Sequence, residues 1–194
     1  MQKTIPLQPG VVYHIYNRGI NGEDIFREER NYAYFLTLYA RHIEPVADTF
    51  AYCLLRNHFH LLLRIKETFE VSETSKVYQQ FSNFFNAYAK SINKAFQRTG
   101  SLFQHPFGRI PVASDRYFMR LVYYIHFNPQ KHGFVPDFRE SPYSSYHTLL
   151  TDKPTRLKRD QVLDWFDGCN GFVEVHRMLA DAHEIREFVG DDDD

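Results

Sequence analysis

Two apolar runs, TFAYCLL at 49–55 and FHLLLRI at 59–65, are separated by nothing but Arg56, Asn57 and His58. Aromatic and branched side chains over seven residues favour extended backbone, and a link this short cannot carry a crossover. The two runs are therefore expected to be adjacent antiparallel strands joined by a tight turn. That hairpin constrains everything around it, because a lone hairpin is marginal in water and needs further strands or helices to cover it.

The flanking sequence supplies them. VVYHIYN at 11–17 is a β-branched and aromatic run ended by NRGINGE, which predicts a strand and a glycine loop. Between Glu28 and Ile43, Tyr32, Phe35, Leu36, Tyr39 and Ile43 recur at three- and four-residue spacing until Pro45, the pattern of an amphipathic helix. From 75 to 97, Phe81, Phe84, Phe85, Tyr88, Ile92 and Phe96 predict a long helix, with Lys90 and Lys94 on its other side and Gly100 closing it. RIPVA at 109–113 follows as a strand. A last core helix opens at Ser114 or Asp115 and is expected to end at Asn128, stopped by Pro129 and Gly133. The order strand, helix, strand, strand, helix, strand is the split βαβ of a ferredoxin-like α+β fold with an antiparallel sheet.

At 194 residues and 43% hydrophobic content, the chain fits one main domain at 1–150 and an extension at 151–194. The extension predicts short helices around VLDWF and FVEVHRMLA, with a mobile acidic end at Asp191 to Asp194. No apolar run approaches the roughly 20 residues of a bilayer crossing, so no membrane span is expected. The opening MQKTIPLQPG lacks an apolar signal region, which predicts a cytoplasmic protein. Cys53 and Cys169 form no CxxC, and Cys53 reads as a small core residue.

Charge is segregated. Residues 160–194 hold eleven acidic and two basic residues, leaving 1–159 with 21 basic and 13 acidic. A basic body is what a polyanionic partner such as nucleic acid requires. Thirteen Tyr and eighteen Phe add rings able to stack on unpaired bases.

His58 and His60 lie two residues apart in a strand, so both imidazoles leave one face of the sheet and can meet one divalent metal. In FMRLVYYIHFNP, Phe118, Leu121, Val122 and Ile125 form the buried stripe, while Tyr124 and Asn128 stand at i and i+4 on its flank. Tyr123 aligns with Arg116, Arg120 and Phe127 on the opposite side. Tyr124 offers a nucleophile and Asn128 an oxygen ligand, although the same pair also fits a half-buried tyrosine and a capping asparagine. His126 reads equally as a helix-surface residue or a participant. Phe103 and Phe107 read as packing residues and His105 as part of a turn.

AYCLLRNHFHLLLR at 51–64 resembles the histidine-hydrophobic-histidine (HUH) region of the single-tyrosine transposases of bacterial insertion sequences. DRYFMRLVYYIHFNPQKHGFV at 115–135 resembles their tyrosine helix, above all in the REP-associated tyrosine transposases. YHIYNRG at 13–19 and GSLFQHPFGRI at 100–110 resemble the first strand and the segment before the tyrosine helix, and the likeness spans roughly 11–150.

The resemblance implies a metal-dependent nickase and strand transferase acting on single-stranded DNA that bears a hairpin. Tyr124 would be the nucleophile, forming a 5′-phosphotyrosine and freeing a 3′-hydroxyl. His58, His60 and Asn128 would hold Mg²⁺ or Mn²⁺, although two imidazoles also suit Zn²⁺. Arg18, Arg56, Lys90, Arg98, Arg109, Arg116 and Arg120 are the expected phosphate contacts, with Arg56 and Arg109 first by proximity to the motifs. Each of these also fits a surface charge or an intramolecular ion pair. Relatives act as homodimers or monomers, so both states are open. The alternatives are a hairpin-binding module that no longer cleaves and a metal-dependent hydrolase of a small substrate. No carboxylate accompanies the histidine pair, which counts against the hydrolase.

Overall fold

The computed structural model describes residues 5–182. The hairpin is present as β2 (Ala47–Leu55) and β3 (His58–Ile65). With β1 (Val12–Arg18) and β4 (Gly108–Pro111) they form one sheet in the order β2-β3-β1-β4, every neighbouring pair antiparallel. Helix α1 (Glu29–His42) joins β1 to β2, and α2 (Thr74–Ala95) joins β3 to β4. This is the expected split βαβ, with the first strand in the middle of the sheet. A tyrosine-bearing helix, α3 (Asp115–Lys131), follows β4, and α4 (Tyr146–Leu150), α5 (Arg159–Asp164) and α6 (Cys169–Ala182) complete the chain's described part. The acidic end at Asp191 to Asp194 lies outside the described residues. Among those that are described, no helix is long and apolar enough to cross a membrane.

Alternation along the strands gives the sheet two distinct faces. Tyr13 and Ile15 of β1 and Phe59, Leu61 and Leu63 of β3 point to α1 and α2, where Phe35, Val77, Phe81, Phe84, Tyr88 and Ile92 close a dry core. A register shift between Thr49 and Ala51 puts Phe50 and Ala51 on the other face together. There they join Cys53, Leu55 and Leu62 beneath Phe118, Leu121, Val122 and Ile125 of α3. Phe103 and Phe107 are buried in the first core, and Cys53 is buried in the second.

The caps agree with the sequence. Asn31 Oδ1 accepts from the Glu28 amide at 2.9 Å in a reciprocal capping box at the start of α1. Ser114 accepts from the Tyr117 amide at 3.3 Å at the start of α3. Pro129 does not end α3, which continues to Lys131. Proline in a last turn removes one amide donor only, and the turn is closed beyond it by the His132 amide donating to Asn128 O at 3.0 Å.

A second difference concerns what covers α3. The residues after 150 contribute Val162, Phe166 and Phe172 to the same core as Phe118 and Ile125. Helix α3 therefore meets the sheet on one side and α6 on another, while α5 packs on β2. Tyr123, opposite the apolar stripe, is 2% exposed as a result.

Candidate active site

The register between β1 and β3 sets Tyr16 opposite His60 and Arg18 opposite His58, with His14 one pair further along. Directly opposed residues share a face, so His14, Tyr16, His58 and His60 stand together under α3. Tyr16 needs room on its other flank, where β4 presents Gly108. A Cβ there would lie 2.2 Å from Tyr16 Cζ, so only glycine lets that ring lie against the strand.

Helix α3 crosses this face and lowers Tyr124 onto the histidines. The Tyr124 ring is edge-on to His60 at 5.6 Å and to His14 at 6.1 Å between centroids. Its side chain is 4% exposed. One turn on, Asn128 is fully buried and its Nδ2 donates to Tyr124 O at 2.8 Å, leaving Oδ1 buried without a partner among the described residues. The Lys131 ammonium lies 5.3 Å from the centre of the Tyr124 ring. His58 meets the exposed His132 edge-on at 4.8 Å.

The two expected ligands are held differently. His58 Nδ1 is 2.7 Å from Asn57 Oδ1, which can only accept, so the ring proton sits on Nδ1 and the lone pair on Nε2. His60 Nδ1 is 2.9 Å from His14 Nε2, and its own Nε2 is buried without a partner among the described residues. Burial keeps this pair neutral, holding His60 well below the usual imidazole range and His14 down to about 3, chiefly by desolvation. Neutral imidazole is the form that binds metal. Among the described residues no three His, Cys, Asp or Glu side chains form a metal cluster. The donor set on offer is two imidazoles and one amide oxygen, and the orphaned His60 Nε2 and Asn128 Oδ1 are the buried atoms such a cation would satisfy.

The basic residues divide between the faces. Arg18 is half-buried beside His58 in the register, and Arg56 stands exposed in the hairpin turn, paired with Asp24 at 3.0 Å and 5.8 Å from the Phe134 ring. Arg116 is exposed in the first turn of α3, and Arg120 is half-buried one turn on. Lys90 is exposed on α2, which covers the face away from the histidines. Arg98 is bound by Glu23 and by Asn93 Oδ1 at 2.6 Å. Arg109 is 8% exposed on that same far face, its guanidinium 4.3 Å from the Phe107 ring and 5.2 Å from that of Tyr78. Of the first choices from sequence, Arg56 stays in the hairpin turn two residues before His58, its guanidinium near Asp24 and the Phe134 ring, and Arg109 lies on the far side.

His126 is not a surface residue. It is fully buried beneath α6, with Nδ1 2.9 Å from His176 Nε2 and Nε2 2.7 Å from Ser145 Oγ. His14 and Tyr16 are the site residues that motif reading missed. Their signal was the alternation within VVYHIYN, but nothing local says which strand lies beside it.

Fold and site together set a histidine pair on a central strand of an antiparallel sheet beneath a helix-borne tyrosine. A curated Haemophilus influenzae protein named "Putative REP-associated tyrosine transposase" is 31% identical over 104 residues, covering 52% of this chain and 59% of the relative. The chain thus matches less than two thirds of that relative's length. A solved structure of a REP-associated tyrosine transposase bound to a REP hairpin matches with a TM-score of 0.55 at 16% identity, covering 79% of this chain and 88% of that one. No family model matches the chain. The resemblance to REP-associated tyrosine transposases is therefore met by a sequence relative, and the fold matches that of a solved one.

Proposed function

We propose that this chain nicks and rejoins single-stranded DNA through Tyr124, on DNA that bears a hairpin. The observation that carries the reading is the edge-on placement of Tyr124 at 5.6 Å from His60, with His60 Nε2 and Asn128 Oδ1 buried and unpartnered among the described residues. The relative's name and the neighbour's bound REP hairpin favour a DNA-processing role and a hairpin partner over a small-molecule hydrolase.

In this reading the Tyr124 hydroxyl loses its proton and its oxygen bonds to phosphorus. The bond from phosphorus to the 3′ oxygen breaks, and that oxygen takes up a proton to become a 3′-hydroxyl. The 5′-phosphotyrosine keeps the ester, so rejoining needs no external energy source. A free phenol titrates near 10, so neighbouring positive charge is needed for attack at neutral pH, and Lys131 lies on the ring's flank. His58, His60 and Asn128 would hold a divalent cation, Mg²⁺ or Mn²⁺ by the resemblance, which supplies polarisation of a non-bridging phosphate oxygen. In this reading Arg18 and Arg56 hold the flanking phosphates.

The test uses end-labelled hairpin oligonucleotides with Mn²⁺ and denaturing gels. A slow-migrating covalent adduct and a released 3′-hydroxyl fragment are expected with the unmodified protein and not with Tyr124→Phe. Tight hairpin binding with no adduct in any metal would replace this reading with a binding module.

A further inference from the structure

We infer that His14 and Asn57 are positioning residues that together turn Nε2 of both histidines toward one cation. The inference rests on the metal-dependent reading above and deepens it.

The two Nδ1 atoms are each taken by a neighbour outside the ligand set, His58 by Asn57 Oδ1 at 2.7 Å and His60 by His14 Nε2 at 2.9 Å. Ligating imidazoles generally hand their second N–H to an outer acceptor, which fixes the tautomer and the ring's rotation about its bond to the backbone. Asn57 does this from the hairpin turn. His14 does it from the neighbouring strand, and it is fully buried. A shared proton between two neutral imidazoles can sit on either ring. A cation at His60 Nε2 requires that nitrogen's lone pair, so the shared proton belongs to His60 Nδ1, His14 Nε2 accepts it, and His14 keeps its own proton on Nδ1. An unpartnered buried Nε2 on His60 is what this arrangement leaves before the cation arrives.

The geometry makes substitutions at position 14 discriminating. A glutamine amide oxygen reaches about where Nε2 stands, an asparagine amide reaches only to Nδ1, and phenylalanine keeps the ring volume with no acceptor. Mn²⁺ affinity, read from the electron-paramagnetic-resonance signal of the free ion, is expected to fall about 10- to 100-fold in His14→Phe and His14→Asn and to be largely restored in His14→Gln. Asn57→Ala, in the turn, is expected to fall about tenfold. Imidazole ¹⁵N shifts with the diamagnetic probe Zn²⁺ should show Nδ1 protonated on both His58 and His60. Thermal melts establish that each variant is folded, and if His14→Phe does not fold, the Gln and Asn pair decides. Folded His14→Phe or His14→Asn binding Mn²⁺ like the unmodified protein would overturn the inference, as would a proton on Nε2 of His14 in the loaded protein. Absence of Mn²⁺ binding by the unmodified protein is a different result, which overturns the parent reading instead.

Discussion

Beneath α1 and α2 the sheet meets Phe35, Phe81, Phe84, Phe85 and Tyr88, whereas beneath α3 it meets Tyr124 beside His14, His60 and Asn128. On the first face the buried hydroxyls are satisfied: Tyr88 donates to Ile25 O at 2.8 Å, Tyr13 to Pro6 O at 3.0 Å, and Tyr39 bonds Thr49 at 2.6 Å. On the second, His14 Nδ1, His60 Nε2 and Asn128 Oδ1 are buried and unpartnered among the described residues. Buried polar groups are normally satisfied, and although Arg109 Nε and Nη2 are also unpartnered on the first face among the described residues, the orphans of the second are imidazole and amide atoms gathered at the proposed site. If the proposed reading holds, substitutions on the two faces should separate folding from function.

The largest stability effect belongs to the dry face. Phe84 is fully buried against Phe35, Tyr39 and Phe85. Phe84→Ala should lower unfolding free energy by about 3–5 kcal/mol, measured by urea denaturation. At temperatures where the variant is still folded, its Mn²⁺ affinity should match that of the unmodified chain. A parallel loss of metal binding in the folded variant would mean that the two faces are not independent.

Acid should act next, in the layer between α3 and α6. His176 is buried in α6 with Nδ1 donating to Phe172 O at 2.7 Å, and burial takes its pKa down to about 4. An unfolded histidine takes up its proton near 6.5. Between those values the unfolded chain binds more protons than the folded one, so the stability present above pH 6.5 drains away as pH falls toward 4. The slope for this one group is up to about 1.4 kcal/mol per pH unit. His176→Gln should flatten the denaturation-against-pH curve by close to one proton, and an unchanged slope would remove His176 from the acid-sensitive groups, which also include the buried His14, His60 and His126.

Those buried histidines also show where the sequence stops being legible. The split βαβ order could be read because each strand is short and apolar, and because the helices at 29–42 and 74–95 carry unambiguous three- and four-residue periods. His58 with His60, and Tyr124 with Asn128, were visible because periods of two and of four are properties of a single element. His14 was not, since its role depends on β1 lying beside β3, a pairing decided across more than forty residues. Tyr123 and His126 looked peripheral because a helix pattern records one apolar stripe, while α6 covers the second side of α3. The short α4 has too few residues to show any period. Pro129 misled for a local reason, as a proline in a final turn lets two more residues, Gln130 and Lys131, follow.

A smaller effect tests the link between α3 and the edge strand. Ser145 Oγ accepts from the Tyr52 amide at 2.9 Å and sits 2.7 Å from His126 Nε2. His176 Nδ1 donates to a carbonyl, so His176 Nε2 accepts from His126 Nδ1, and His126 Nε2 in turn accepts the serine proton. Ser145→Ala strands both the Tyr52 amide and His126 Nε2. A loss of about 1–3 kcal/mol is expected, measured by thermal or urea unfolding, because both groups are left buried without a partner. Ser145→Cys, which keeps a weak donor, should lose less.

The smallest stability change carries the sharpest statement about the faces. Arg56 is an exposed side chain whose pair with Asp24 at 3.0 Å is of the kind worth about 0–1 kcal/mol, so Arg56→Ala should leave the melting curve almost in place. Lys90→Ala, on the helix covering the opposite face, should do the same. Their effects on hairpin binding should differ. If the strand to be cut lies along the histidine face, Arg56 faces a phosphate, and its removal lowers the slope of log affinity against log salt by about 0.7–0.9 while Lys90→Ala leaves it unchanged. Equal losses from both substitutions would place the DNA across both layers of the fold, and a loss from Lys90 alone would put the hairpin on the α2 side with only its foot reaching Tyr124.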